Sequence, residues 1–184
     1  MAVVFEGGAG LAAVGLGWLF GLSPAERIQW CFAGAARGLL AALPTLAIFW
    51  LTLRFPVGPL REIRRVVEEM LMPLFRACHV AELALISALA GLGEEMLFRG
   101  VIQTVVADWT GGTWGRWIGL VVASLLFGAA HPITSAYIVL AALMGAYLGW
   151  LWIESQNLLV PITAHATYDF LALVYLAKVA GRGK

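Results

Sequence analysis

Charge is what this sequence has least of. Of its 184 residues only 12% are charged, while 61% are hydrophobic and the mean hydropathy is +0.88. Soluble domains carry about 25% charged and about 45–50% apolar residues, so the bilayer is the expected solvent. The net charge of +1 comes without a basic patch interleaved with aromatics, and no nucleic-acid partner is expected. Cysteine is scarce too. Cys31 and Cys78 fit no disulfide framework and no metal spacing, and read as small apolar fillers. No serine stands in a nucleophile elbow, no cysteine is placed for a Cys–His nucleophile, and no HExxH zinc helix is present. There is no internal repeat and no low-complexity tract. The first apolar run lacks a basic leader, carries Glu6 and ends in SPAE, so no cleavable signal peptide is expected.

What the chain has in abundance is long apolar segments. Six are expected, at about 8–22, 29–53, 80–107, 115–131, 135–153 and 158–178. Residues 54–79, RFPVGPLREIRRVVEEMLMPLFRACH, form the one strongly charged stretch. In it Leu60, Ile63, Val67, Met70, Leu71 and Leu74 recur near helical spacing, with Arg61, Arg64, Arg65, Glu68 and Glu69 between them. That pattern predicts an amphipathic helix on the membrane surface. The expected fold class is therefore all-α: a polytopic membrane helix bundle of about six transmembrane helices and one surface helix, a single integral membrane domain over residues 1–184.

Arg54, Arg61, Arg64, Arg65 and Arg76 cluster in one loop, and Lys178, Arg182 and Lys184 at the C-terminus. Six spans put both clusters on the same side. The opposite loops hold only Arg27 and Arg116 against Glu26, Asp108 and Glu154. The positive-inside rule makes the richer side cytoplasmic, with both termini there. Trp18, Trp50, Trp109, Trp114, Trp117, Trp150 and Trp152 fall near predicted span ends, as an aromatic belt does.

Against this background GLGEEMLFRG, residues 91–100, places Glu94, Glu95 and Arg99 inside the third span. A charge near the bilayer centre costs about 2.5–3.5 kcal/mol on insertion scales, so the three must compensate one another and face the bundle interior. Glu95 and Arg99 are i and i+4 and can pair on one face. Glu94 is turned about 100° away. Its own face runs through Ser87, Ala90 and Gly91, small residues that would let a helix or a substrate come close. A locking ion-pair cluster accounts for Glu95 and Arg99, and leaves Glu94 over.

Two further motifs carry polar groups into the membrane. FGAAH, residues 127–131, ends the fourth span with His131 before Pro132, which biases it to a helix end. HATYD, residues 165–169, puts His165 and Asp169 at i and i+4 in the sixth. With Glu94 these form a set able to handle water. The carboxylate can act as general base, one histidine can orient the water, and the other, its tautomer fixed by Asp169, can stabilise an oxyanion. Amide hydrolysis in a membrane cavity fits that set.

EExxxR on one span, FxxxH on the next and HxxxN or HxxxD on a late one resemble the motifs of the CAAX prenyl protease and bacteriocin-processing (CPBP) family of intramembrane endopeptidases. Here they read EEMLFR (94–99), FGAAH (127–131) and HATYD (165–169), in the same order and complete, over a core of about residues 80–180. The resemblance implies that Glu94 activates water with help from His131, that His165 and residue 169 bind the oxyanion, and that Glu95 pairs structurally with Arg99. Relatives carry asparagine where this chain has Asp169. An ionised aspartate cannot donate to an oxyanion, so Asp169 is expected to orient His165 or to be protonated itself. No metal is expected to be required. The alternative is a zinc site on Glu94, His131 and His165. His79 and Glu6 are expected to be interfacial.

The implied function is hydrolysis of peptide bonds in a membrane-associated protein or peptide, prenylated or bacteriocin-like, with membrane lipid as the other partner and the bacterial inner membrane as the implied location. Two other readings remain open at this level: a non-catalytic scaffold or immunity protein of the same fold, and a proton-coupled transporter. Complete motifs weigh against the first. Small size, the missing repeat and unbroken predicted helices around the acids weigh against the second.

Overall fold

Each apolar run forms helix, because a span in hydrocarbon must satisfy its own backbone groups. The computed structural model describes residues 2–179, with side chains described for these except residues 2–6, 70, 71 and 179. The side chains of Glu6, Met70 and Leu71 and the residues Arg182 and Lys184 thus lie outside what is described. The elements are α1 (Ala2–Leu19), α2 (Phe32–Arg54), α3 (Leu60–Val66), α4 (Met72–Arg76), α5 (Val80–Glu95), α6 (Thr104–Thr110), α7 (Gly115–Ala129), α8 (Ser135–Ser155) and α9 (Leu159–Val174). π-helical turns join α3 to α4 (Val67–Leu71) and α5 to α6 (Met96–Gln103), and extend α9 (Tyr175–Val179). Among the described residues there is no strand, and the protein is an all-α membrane helix bundle.

Local chemistry sets the boundaries. Thr134 caps α8 by accepting the Tyr137 N–H at 3.1 Å, just after Pro132. Gln156, at φ 50°, closes α8 in the left-handed region. Glu82 reaches back to the His79 N–H at 2.6 Å and starts α5. Gly111, at φ 60°, ends α6.

Phe32–Arg54, Ser135–Ser155 and Leu159–Lys178 are long and apolar enough to cross a membrane, and Gly7–Leu19 and Gly115–Ala129 are shorter apolar helices. α9 lies between α2 and α5, and α7 packs against α8. At one end Asn157 brackets Gln29, donating to its carbonyl and accepting its N–H, each at 2.9 Å. At the other end Lys178 donates to the Arg76 carbonyl at 3.0 Å. Trp18, Trp30, Trp109 and Trp114 are exposed, all at the first of these ends.

Two expectations need correction. The third apolar segment is not an unbroken helix: eight residues after the paired acids are π-helical. Such bulges recur at functional sites, and helix continuity around the acids gives no reason against transport. The charged surface helix also differs in how it uses its apolar side. Ile63, Val67 and Met72 are buried against Leu176, with Phe49, Tyr137 and Leu140 beside them. Protein rather than lipid takes that face, while Leu74 stays exposed.

Candidate active site

The buried charges sit where α5, α7, α8 and α9 meet. Glu95 is fully buried and Arg99 is 1% exposed. Arg99 Nη1 donates to Glu95 Oε1 at 2.8 Å, and Nη2 to the Gly145 carbonyl of α8 at 2.9 Å. The pair expected from i, i+4 spacing is present. Its carboxylate does more than the spacing foretold, for Glu95 Oε1 also meets His165 Nδ1 at 2.8 Å. Asp169 Oδ2 stands 3.5 Å from His165 Nε2. The nitrogen held at hydrogen-bond distance thus faces Glu95, and Asp169 takes the other side of the ring. Asp169, expected to orient His165, thus stands beside its Nε2, and Glu95 is a second partner that the spacing did not foretell.

Glu94 is 6% exposed. Its Oε2 lies 4.0 Å from His131 Nε2. The His131 ring is oriented from behind, because its Nδ1 lies 2.8 Å from the Phe127 carbonyl. A carbonyl only accepts, so Nδ1 carries a proton, and in the neutral form of the ring Nε2 presents its lone pair towards Glu94. α7 is 15 residues long and so spans about 22 Å. His131 follows its last turn and is one-quarter exposed.

Phe127 holds the pieces together. Its ring lies 4.7 Å from His131 and 6.0 Å from His165, centroid to centroid, and the Arg99 guanidinium lies 4.7 Å from its centre. The fold thus gathers Glu94, Glu95, Arg99, His131, His165 and Asp169 from three distant stretches. The Ser87, Ala90 and Gly91 face is only partly available to a substrate. A Cβ on Gly91 would stand 2.9 Å from the Ala166 Cβ and from the Ile162 carbonyl, so α9 occupies that groove.

The zinc alternative does not find its geometry here. Both His165 nitrogens face carboxylate oxygens, and among the described residues no three His, Cys, Asp or Glu side chains are grouped to hold a metal ion. His79 caps α5, outside the site.

Sequence reasoning missed Gln103. It is buried, and Nε2 donates to the Gly149 carbonyl at 3.1 Å. Arg99 and Gln103, four apart, therefore grip Gly145 and Gly149, also four apart, and the small-xxx-small spacing in α8 was the available signal.

Residues 76–171 match the Rce1-like family, described as type II CAAX prenyl endopeptidase Rce1-like. That is more than half of the chain, and the chain belongs to this family. The uncharacterized 24.3 kDa protein of Escherichia coli is 35% identical over 98 residues, 52% of this chain and 44% of its own length. The uncharacterized protein YpbD of Bacillus subtilis (strain 168) is 31% identical over 99 residues, 52% of this chain and 46% of its own. The chain spans less than half the length of these curated relatives. No solved structure matches.

Proposed function

We propose that this member of the Rce1-like family is an intramembrane endopeptidase that hydrolyses a peptide bond in a membrane-associated protein or peptide, prenylated CAAX-type tails being the class the family description names. The observation that carries the reading is the pair of acceptors, Glu94 Oε2 and His131 Nε2, facing each other across 4.0 Å. That gap is too long for a direct hydrogen bond and suits one bridging water. Each acceptor takes one of its O–H groups, and the water's lone pairs are left for a carbonyl carbon.

The step balances within the site. Glu94 accepts a proton as the water oxygen bonds to the carbonyl carbon, and the carbonyl oxygen becomes an oxyanion. When the C–N bond breaks, the same proton passes to the leaving amine. The oxyanion needs a donor, and the second histidine supplies it. In the Arg99–Glu95 ion pair the carboxylate only accepts, so His165 Nδ1 is protonated. Nε2 and Asp169 Oδ2, 3.5 Å apart, would be two opposed acceptors if His165 were neutral and Asp169 ionised. A proton held between the two would be the one offered to the oxyanion, whichever partner carries it. This meets the difficulty that an aspartate alone cannot donate. No step runs through a metal, and no metal is proposed as required. The positive-inside rule, applied to Arg54, Arg61 and Arg76, supports a cytoplasmic His131 end, and on this reading the site opens to that side of a bacterial inner membrane.

The test is cleavage of membrane-associated peptides, farnesylated ones included, in liposomes with mass-spectrometric readout. Glu94→Gln, similar in shape, should lower kcat by about 10²–10⁴-fold. A chelator should leave the wild-type rate unchanged. Equal cleavage by the variant would remove Glu94 from the chemistry, and inhibition by the chelator would restore the zinc alternative.

A further inference from the structure

A second polar site lies outside the bundle, on the outer side of α3. Pro56, Arg61, Arg64, Arg65, Glu68 and Glu69 line a groove of about 310 Å³. The chain enters it from α2 and leaves it for α5, both membrane helices, so the groove stands at the membrane–water boundary on the arginine-rich side. With Ile63, Val67 and Met72 turned onto the bundle, the face offered to the headgroups is the polar one.

Three guanidinium groups meet two carboxylates there. Arg64 engages Glu68 through Nε at 2.8 Å, and Arg65 engages Glu69 through Nε at 3.1 Å. Both arginines engage their carboxylates through Nε, and Arg61 beside them is exposed. Beside Pro56, the side chains of Phe55 and Val57 are exposed. A phosphate-binding fork edged by apolar side chains at an interface matches one kind of molecule, an anion carrying hydrocarbon. A free phosphate would leave Phe55 and Val57 unused, and an acidic peptide would have no need of them.

We infer that this groove binds the phosphodiester headgroup of an anionic phospholipid of the cytoplasmic leaflet, with Arg61, Arg64 and Arg65 as its ligands and Phe55 and Val57 against the acyl chains. The inference does not depend on the protease reading. It gives the charged helix a ligand that its covered apolar face does not provide.

To test it, the full chain in detergent is incubated with equal amounts of phosphatidylglycerol and phosphatidylcholine, and bound lipid is read by native mass spectrometry. Phosphatidylglycerol should be retained preferentially. Arg61→Gln should weaken its retention about fivefold, and the triple change Arg61→Gln, Arg64→Gln, Arg65→Gln should abolish the preference. Circular dichroism checks that each variant is folded. If the triple variant is not, Arg61→Gln decides, since that side chain is exposed. An undiminished preference in the folded triple variant, or in Arg61→Gln where that alone folds, would overturn the site. Displacement of the lipid by an equal concentration of inorganic phosphate, or equally tight binding of an acidic peptide, would overturn its assignment to lipid.

Discussion

Two arginine–glutamate pairs in this molecule have the same spacing and the same length. Glu95 and Arg99 are four apart and meet at 2.8 Å, and so are Arg64 and Glu68. Glu95 and Arg99 are 0% and 1% exposed, Arg64 and Glu68 43% and 34%. Helix geometry produces both, and the surroundings decide what each does. At the surface, water screens the charges and the pair is worth about 0.3–0.5 kcal/mol. In the core the same two charges have lost their hydration and must be satisfied by protein groups, or the bundle does not close around them. Arg99 accordingly reaches Gly145 as well as Glu95, and Glu95 reaches His165.

The largest effect is expected when the buried pair loses a member. Arg99→Ala leaves a carboxylate buried in the bundle and takes the donor from the Gly145 carbonyl. Thermal unfolding in detergent should show a loss of about 3–5 kcal/mol. Arg99→Lys should not restore it, because a single ammonium cannot reproduce the fork that spans Glu95 and Gly145. A change within about 1 kcal/mol for Arg99→Ala would mean that the buried pair behaves like the surface one.

Gln103 sharpens the contrast from within the core. It lies one turn beyond Arg99 and makes the parallel bond to α8, but it is neutral. Its Oε1 has no hydrogen-bond partner among the described residues. Gln103→Leu thus removes one hydrogen bond together with one unsatisfied acceptor. The loss should be about 1 kcal/mol, well below that of Arg99→Ala, by the same unfolding measurement. A loss as large as that of Arg99→Ala would show that shape rather than charge governs this contact.

What could be read from the sequence follows the same division between local and distant contacts. Glu95 with Arg99 and His165 with Asp169 are neighbours one turn apart, so helix periodicity alone puts each pair on a face. His131 was legible as a helix end because Pro132 follows it. The Glu95–His165 contact joins residues 70 apart, and no periodicity encodes it. The same holds for Arg99 and Gln103 on Gly145 and Gly149, each 46 residues away. The π-helical turn at Met96–Gln103 was hidden for another reason. A register change in a helix leaves the hydrophobic pattern almost intact, and the bond that accompanies it, from Thr104 Oγ1 to the Arg99 carbonyl five residues back at 3.0 Å, is local and has no sequence signature of its own. The surface helix was legible as amphipathic, but its apolar stripe does not say whether protein or lipid covers it.

The smallest expected effect is on the surface pair itself. Arg64→Gln breaks the contact to Glu68, yet both groups remain in reach of water. Unfolding should shift by no more than about 0.5 kcal/mol, and raising the salt concentration should shrink even that, because screening already weakens the wild-type pair. The measurement becomes more informative when the headgroup competition is run on the same variant. A side chain whose loss leaves stability unchanged and lowers phosphatidylglycerol retention is placed for a ligand, not for the fold. Buried Arg99 should show the reverse, a large loss of stability with no specific effect on lipid preference in whatever fraction remains folded. If Arg64→Gln instead destabilised the protein by several kcal/mol, the surface helix would be gripping the bundle through its charges. The burial of Ile63, Val67 and Met72 would then not be what holds it.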